Sequence, residues 1–232
     1  MRNHGRNFGM TRKNPERRQE LLAAAQHFFY AKGYESTSVN DIIQEVGVSK
    51  GAFYHHFDSK TAVLEAIVAQ MADQAVANLQ AILADETLTA IPKWQKVVQL
   101  SNTWKIERKA EVLTANRLMM DENILLRHKI RLETNNAIAT NMSQIIAQGV
   151  DEGVFDVEHI PETAVILMKV IGSFSDTMNE LLFNPDQYDE PAAIALQKNA
   201  AVRTAVERLL GAPTGSMPII DNETLIAWFN TP

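Results

Sequence analysis

Apolar residues recur along this chain at intervals of three and four, and no stretch alternates long enough to mark a strand. Leu21, Leu22, Ala25, Phe28 and Phe29 set the first helical stripe, with Pro15 suited to its opening turn and Gly33 to its end. Val39, Ile42, Ile43 and Val46 form a second, shorter stripe. Ser38 precedes it and Asp41 follows three residues on, a capping box with Asp in place of the usual Glu. Gly47 stops this helix, and Ser49 caps a third over about 50–56. An Ala-rich helix follows over about 60–84, carrying Val63, Leu64, Ile67, Val68, Met71 and Leu79. Further helices are predicted from Pro92, over about 111–120, over about 123–149 (closed by Gly149 and Gly153), over 161–183, and over 191–210 before Gly211. Residues 211–220 read as a loop and 221–229 as a last short helix. The pattern predicts an all-α chain of nine or ten helices.

Residues 37–60, TSVNDIIQEVGVSKGAFYHHFDSK, are the most informative stretch. Two short helices joined through Gly47-Val48-Ser49 match a helix-turn-helix over about 38–57. A glycine at position 47 lets the backbone take the left-handed conformation that a quick reversal needs. On a wheel turning about 100° per residue, Ala52, Phe53 and His56 of the third helix face inward. Lys50, Gly51, Tyr54 and His55 form the outer face. Lysine reaches base acceptors or phosphate, glycine lets backbone come close, and tyrosine and histidine donate to phosphate oxygens. Helix N-termini near Ser38, Ser49 and Ser59 add attraction for phosphate, with Lys60 beside the last. The plainer alternative is a helical hairpin with a solvated face.

Charge at first opposes a nucleic-acid partner, since the 232 residues carry a net −6. The total hides a division. Residues 1–60 hold nine basic and six acidic side chains, net +3, which leaves −9 for the remainder. Residues 1–14 read as a flexible basic arm with Arg2, Arg6, Arg12 and Lys13, and Met10 is a second candidate start. The absence of cysteine excludes disulfides, thiolate catalysis, thiolate zinc sites and iron–sulfur clusters, and fits a cytoplasmic setting. No apolar run approaches the roughly 18 residues of a membrane span, and no apolar stretch follows Arg2 and Arg6 as in a secretory signal. Dinucleotide, P-loop, zincin and nucleophile-elbow signatures are all missing. No histidines stand at i, i+4 to share a metal, so no enzyme activity, catalytic residue, cofactor or metal is expected.

The segments LLAAAQHFFYAKGYESTSVNDI and VGVSKGAFYHHFDSKTAVL closely resemble the tetracycline-repressor family of transcriptional regulators. The run Gly47-Val48-Ser49-Lys50-Gly51, then Phe53-Tyr54-His55-His56-Phe57 and Lys60, is specific to it. The resemblance covers about residues 15–75. Ile43 and Val46 depart from it, standing at the crossing of the two short helices where the family usually has alanine. The resemblance implies a three-helix DNA-binding domain over 15–75 and a larger helical ligand-binding and dimerisation domain over 76–211, flanked by the basic arm over 1–14 and a tail over 212–232. It implies a homodimer that places each recognition helix in a major groove of a palindromic operator. Thr37, Ser38, Lys50, Gly51, Tyr54, His55 and Lys60 would then contact double-stranded DNA, Tyr54 and Lys60 mainly at phosphates. It further implies a repressor released by an unidentified small molecule bound in the C-terminal domain.

In that domain, Trp94, Trp104, Asn116, Met119, Met120, His128, Met142, Phe174 and Met178 are bulky, adaptable or polar candidates for a pocket. Ile166, Val170, Phe174, Met178 and Leu181 on one helix, with Ile194, Val202, Ala205 and Leu209 on the next, are candidates for a four-helix dimer interface. Both sets also fit an ordinary intramolecular core. The alternative for the whole chain is a helical small-molecule carrier or interaction protein with a vestigial DNA-binding motif.

Overall fold

The computed structural model describes residues 15–121 and 124–230, apart from the side chains at 71, 72, 74, 75, 78, 118–121, 124–130 and 133. The basic arm therefore lies outside the described residues, as do the side chains of Met119, Met120 and His128. Ten α-helices are described: α1 (Pro15–Lys32), α2 (Val39–Val46), α3 (Lys50–His56), α4 (Lys60–Leu83), α5 (Ala90–Glu107), α6 (Lys109–Asp121), α7 (Ile124–Asp151), α8 (Ile160–Phe183), α9 (Pro191–Leu210) and α10 (Asn222–Ala227). A single 3-10 turn, Pro185–Gln187, separates α8 from α9, and no strand occurs among the described residues. Two compact units divide at Val68/Ala69, inside α4, a little before the sequence-based boundary at 75.

The first unit closes around Leu21, Leu22, Ala25, Phe29, Ile42, Phe53 and Val63, all essentially without exposure. Three short-range devices shape it. Ser38 Oγ accepts from the Asp41 amide at 3.1 Å while Asp41 Oδ2 accepts from the Ser38 amide at 2.7 Å, so the capping box forms with Asp in the usual Glu position. Gly47 takes φ 69°, and the amides of Gly47 and Val48 return to the carbonyls of Gln44 and Ile43, ending α2. Ser49 Oγ then accepts from the Ala52 amide at 3.1 Å and starts α3.

The second unit is built on α7, α8 and α9 in succession, with α5, α6 and α10 added. Trp94, Ile145, Ile146, Leu167, Leu181, Val206 and Leu210 are its fully buried centre. Two expectations need correction. Gly149 does not close α7, which runs on to Asp151; the reversal falls at Gly153, at φ 71°. Gly149 is instead a site of close approach, where a Cβ would overlap the Phe155 ring.

Nor do residues 212–230 form a tail apart from the domain. Met217 and Leu225 are fully buried, and Ile219, Ile220 and Trp228 nearly so. Side chains from earlier helices satisfy this segment's backbone. Glu207 accepts from the Gly215 and Met217 amides, while Trp94, Asn102 and Asn199 donate to the carbonyls of Pro218, Ile219 and Ile220 at 2.9–3.0 Å. Lys109 Nζ donates to the Trp228 carbonyl at 2.9 Å. No described helix is long and apolar enough to cross a membrane.

Candidate nucleic-acid interface and ligand cavity

α3 is seven residues long, and its sidedness follows from two aromatic anchors. Phe53 is fully buried, and Phe57, just past the helix, is nearly so, their ring centroids 6.0 Å apart. With that side pinned, Lys50, Gly51, Tyr54 and His55 face outward, as the wheel places them. Tyr54 stands edge-on to Phe53 at 5.3 Å, which orients a ring that is 45% exposed.

Gly51 is informative through its surroundings. Beyond its own helical backbone and chain neighbours, a Cβ there would meet Ser49 Oγ alone among the described residues, at 3.9 Å, an ordinary contact. Its φ is not in the left-handed region. Nothing among the described residues therefore asks for glycine, although glycine weakens a helix relative to alanine.

Two expected contact residues are engaged inside the unit. Thr37 is buried, and its hydroxyl donates to the Gly33 carbonyl at 2.8 Å, so the side chain closes the turn between α1 and α2. Lys60 Nζ donates to the Tyr34 carbonyl at 2.8 Å and lies 3.9 Å from the Tyr34 ring centroid. An ammonium has three donors, so phosphate contact remains open to it. Ser38 is exposed, but its hydroxyl serves the α2 cap. The Asp41 carboxylate beside it also receives Lys32 Nζ at 2.8 Å. That bond, followed by those from Ser38, holds the Asp41 pKa down at about 2.

The second unit holds a partly open cavity of about 470 Å³. Trp94, Trp104, Asn116, Met142, Phe174 and Met178 line it together, drawn from α5, α6, α7 and α8. Leu79 of α4 and Ile219, Ile220 and Trp228 of the C-terminal segment complete the wall. Polar groups are few; Asn116 Nδ2 donates to Asn179 Oδ1 at 2.8 Å. The sequence reading missed Lys105, which also lines the cavity. The available signal was spacing, because Lys105 continues the stripe of Trp94, Val97, Val98 and Ser101 along α5.

The candidate interface residues divide. Ile166 and Ile194 are 47% and 37% exposed, and Val170, Ala205 and Leu209 are half-buried. Phe174 and Val202 are buried within the unit, as are Met178 and Leu181, so they offer no surface to a second copy; Phe174 and Met178 belong to the cavity wall.

Residues 21–67 match the family model described as bacterial regulatory proteins of the tetR family. The chain is 24% identical over 175 residues to the uncharacterized HTH-type transcriptional regulator YerO of Bacillus subtilis, covering 73% of this chain and 57% of that protein. It is 37% identical over 68 residues to the HTH-type transcriptional repressor KstR2 of Rhodococcus jostii, covering 29% and 33%. The chain thus spans less than two thirds of the length of these curated relatives. Among solved structures, the SmeT–triclosan complex superposes with a TM-score of 0.62 at 17% identity, over 89% of this chain and 98% of that one. The fold is shared across most of the chain, while the matching sequence is concentrated around the helix-turn-helix. The likeness to the tetR family of bacterial regulatory proteins is thus carried by residues 21–67, the segment that holds the helix-turn-helix.

Proposed function

We propose that this protein is a ligand-responsive transcriptional regulator, a repressor that leaves a palindromic operator when a small molecule fills the second unit's cavity. The observation that carries the DNA-binding half is the outer face of α3. Lys50, Tyr54 and His55 surround a glycine that no described residue requires, and a phosphate backbone brought close to Gly51 supplies a reason for it. Lys50 and His55 then reach base edges or phosphates, Tyr54 donates to phosphate, and Ser38 and Lys60 flank them.

KstR2 is named a repressor and SmeT was solved with triclosan; both favour the same roles here. The cavity lies within the 300–1,000 Å³ range of small-molecule sites and is walled mainly by apolar and aromatic side chains. α4 is continuous from Lys60, four residues beyond the end of α3, to the turn after Leu79 in the cavity wall. A ligand acts by preferring the arrangement of α4 that does not fit the operator, and by no more than that preference. Exposed Ile166 and Ile194 favour a homodimer formed through α8 and α9. The protein would act on DNA in the cytoplasm.

The test is the double variant Lys50→Ala/Tyr54→Ala, measured against an operator selected with the wild-type protein. Specific binding should be lost while circular dichroism and oligomeric state stay unchanged. Full operator affinity in the folded double variant would refute the assignment.

A further inference from the structure

Lys105 stands out from the other cations near the end of α5. Arg108 is paired with Glu107, and Lys109 donates to the carbonyls of Ala227 and Trp228. Lys105 has no hydrogen-bond or ion-pair partner among the described residues, yet its side chain lines the cavity. It is also the one ionisable group among the described lining residues, so no carboxylate of the wall answers it. Crowding by protein atoms pushes its amine below the ordinary lysine range. Lys105 is half-buried, and an ammonium partly withdrawn from water with no counter-charge among the described residues is costly, a cost that a bound anion would remove.

The rest of the wall limits what kind of anion fits. Val97, Val98, Met142, Met168, Phe174 and Leu182 make most of the surface apolar. An inorganic anion would leave this surface empty, and a dianion would bring a charge that no described lining residue matches. A hydrophobic body with a single terminal negative charge satisfies both requirements.

Resting on the reading of this cavity as a ligand site, we infer that it selects apolar monocarboxylates, seating the carboxylate on Lys105 and the alkyl or aryl body against the apolar wall. Asn116 and Asn179, already bonded to each other, provide a polar edge on α6 and α8. Charge selection therefore falls to Lys105 alone among the described residues.

Calorimetric titration of the full chain at pH 7 with two matched pairs tests this: decanoate against decanamide, and 1-naphthoate against 1-naphthamide. The pair that binds shows whether the body is aliphatic or aromatic. In the wild type the acid should bind about 10- to 100-fold more tightly than its amide, the range for a hydrogen bond to a charged group. Lys105→Met should abolish that preference while leaving amide affinity within about threefold, and Lys105→Arg should retain it. Equal binding of acid and amide by the wild type overturns the assignment and leaves the cavity a neutral-ligand site. A preference that persists in folded Lys105→Met overturns Lys105 as its source. If none of the four compounds binds the folded wild type, both this inference and the reading of the cavity beneath it fail for these classes.

Discussion

Replacing Gly51 with alanine separates what the chain needs from what a partner needs. Inside the protein, the added methyl would lie 3.9 Å from Ser49 Oγ and, beyond its own helical backbone and chain neighbours, meet no other described atom within 4 Å. The helical backbone at Gly51 is open to any residue, so the folded state loses nothing while the unfolded chain loses freedom. Such changes stabilise by about 0.4–1 kcal/mol. Against DNA the sign reverses. A methyl forced into a close-packed contact costs about 1–3 kcal/mol, or about five- to 150-fold in Kd. Gly51→Ala should therefore raise the urea midpoint of unfolding, followed by circular dichroism, and weaken operator binding in fluorescence anisotropy at fixed salt. Refutation has two forms. A destabilised variant would mean that α3 has an internal need for glycine that its surroundings do not reveal. A stabilised variant with wild-type operator affinity would mean that no partner approaches Gly51.

Three further predictions concern the fold. Because the folded pKa of Asp41, about 2, lies below its ordinary 3.8, its ionised form favours folding at neutral pH, and that contribution is lost as pH falls through the window between these values. Asp41→Asn should remove this part of the acid dependence when unfolding midpoints are compared from pH 5 to pH 2, and an unchanged profile would contradict the capping role. Gly149→Ala drives a methyl into the Phe155 ring and should destabilise by about 1–3 kcal/mol in urea unfolding, with Phe155→Leu in the same chain recovering part of the loss. Met217→Ala, at a fully buried position of the C-terminal segment, should cost about 2–5 kcal/mol, whereas a segment lying loose on the surface would give a loss near zero.

The helix-turn-helix was legible because its determinants are local. Ser38 with Asp41, Gly47 and Ser49 each act within four residues, and one wheel sorts Phe53 from Lys50 and Tyr54. What the sequence hid depends on distant partners. GAPTGSMPII reads as a loop by its Pro, Gly and Ser, and it takes distant side chains, among them Glu207, Asn199, Trp94, Asn102 and Gln95, to turn it into a packed wall. Thr37 looks exposed until the Gly33 carbonyl takes its hydroxyl. Phe174 fell into both the pocket and the interface sets because α8 is apolar around much of its circumference, so periodicity alone does not say which face meets the core. Lys105 was passed over because lysine is almost always a surface residue, although its spacing places it on the apolar face of α5. The division of charge, +3 on residues 1–60 and −9 on the remainder, fits the proposed DNA face of the first unit in a way that the total of −6 does not.

The central claim is that the outer face of α3 reads DNA as one half of a symmetric pair. Selection from random-sequence double-stranded DNA with the full chain, followed by sequencing, tests it directly. The account predicts an enriched two-fold symmetric consensus that disappears when the selection is repeated with Lys50→Ala/Tyr54→Ala. A wild-type pool that remains random at low salt would contradict it.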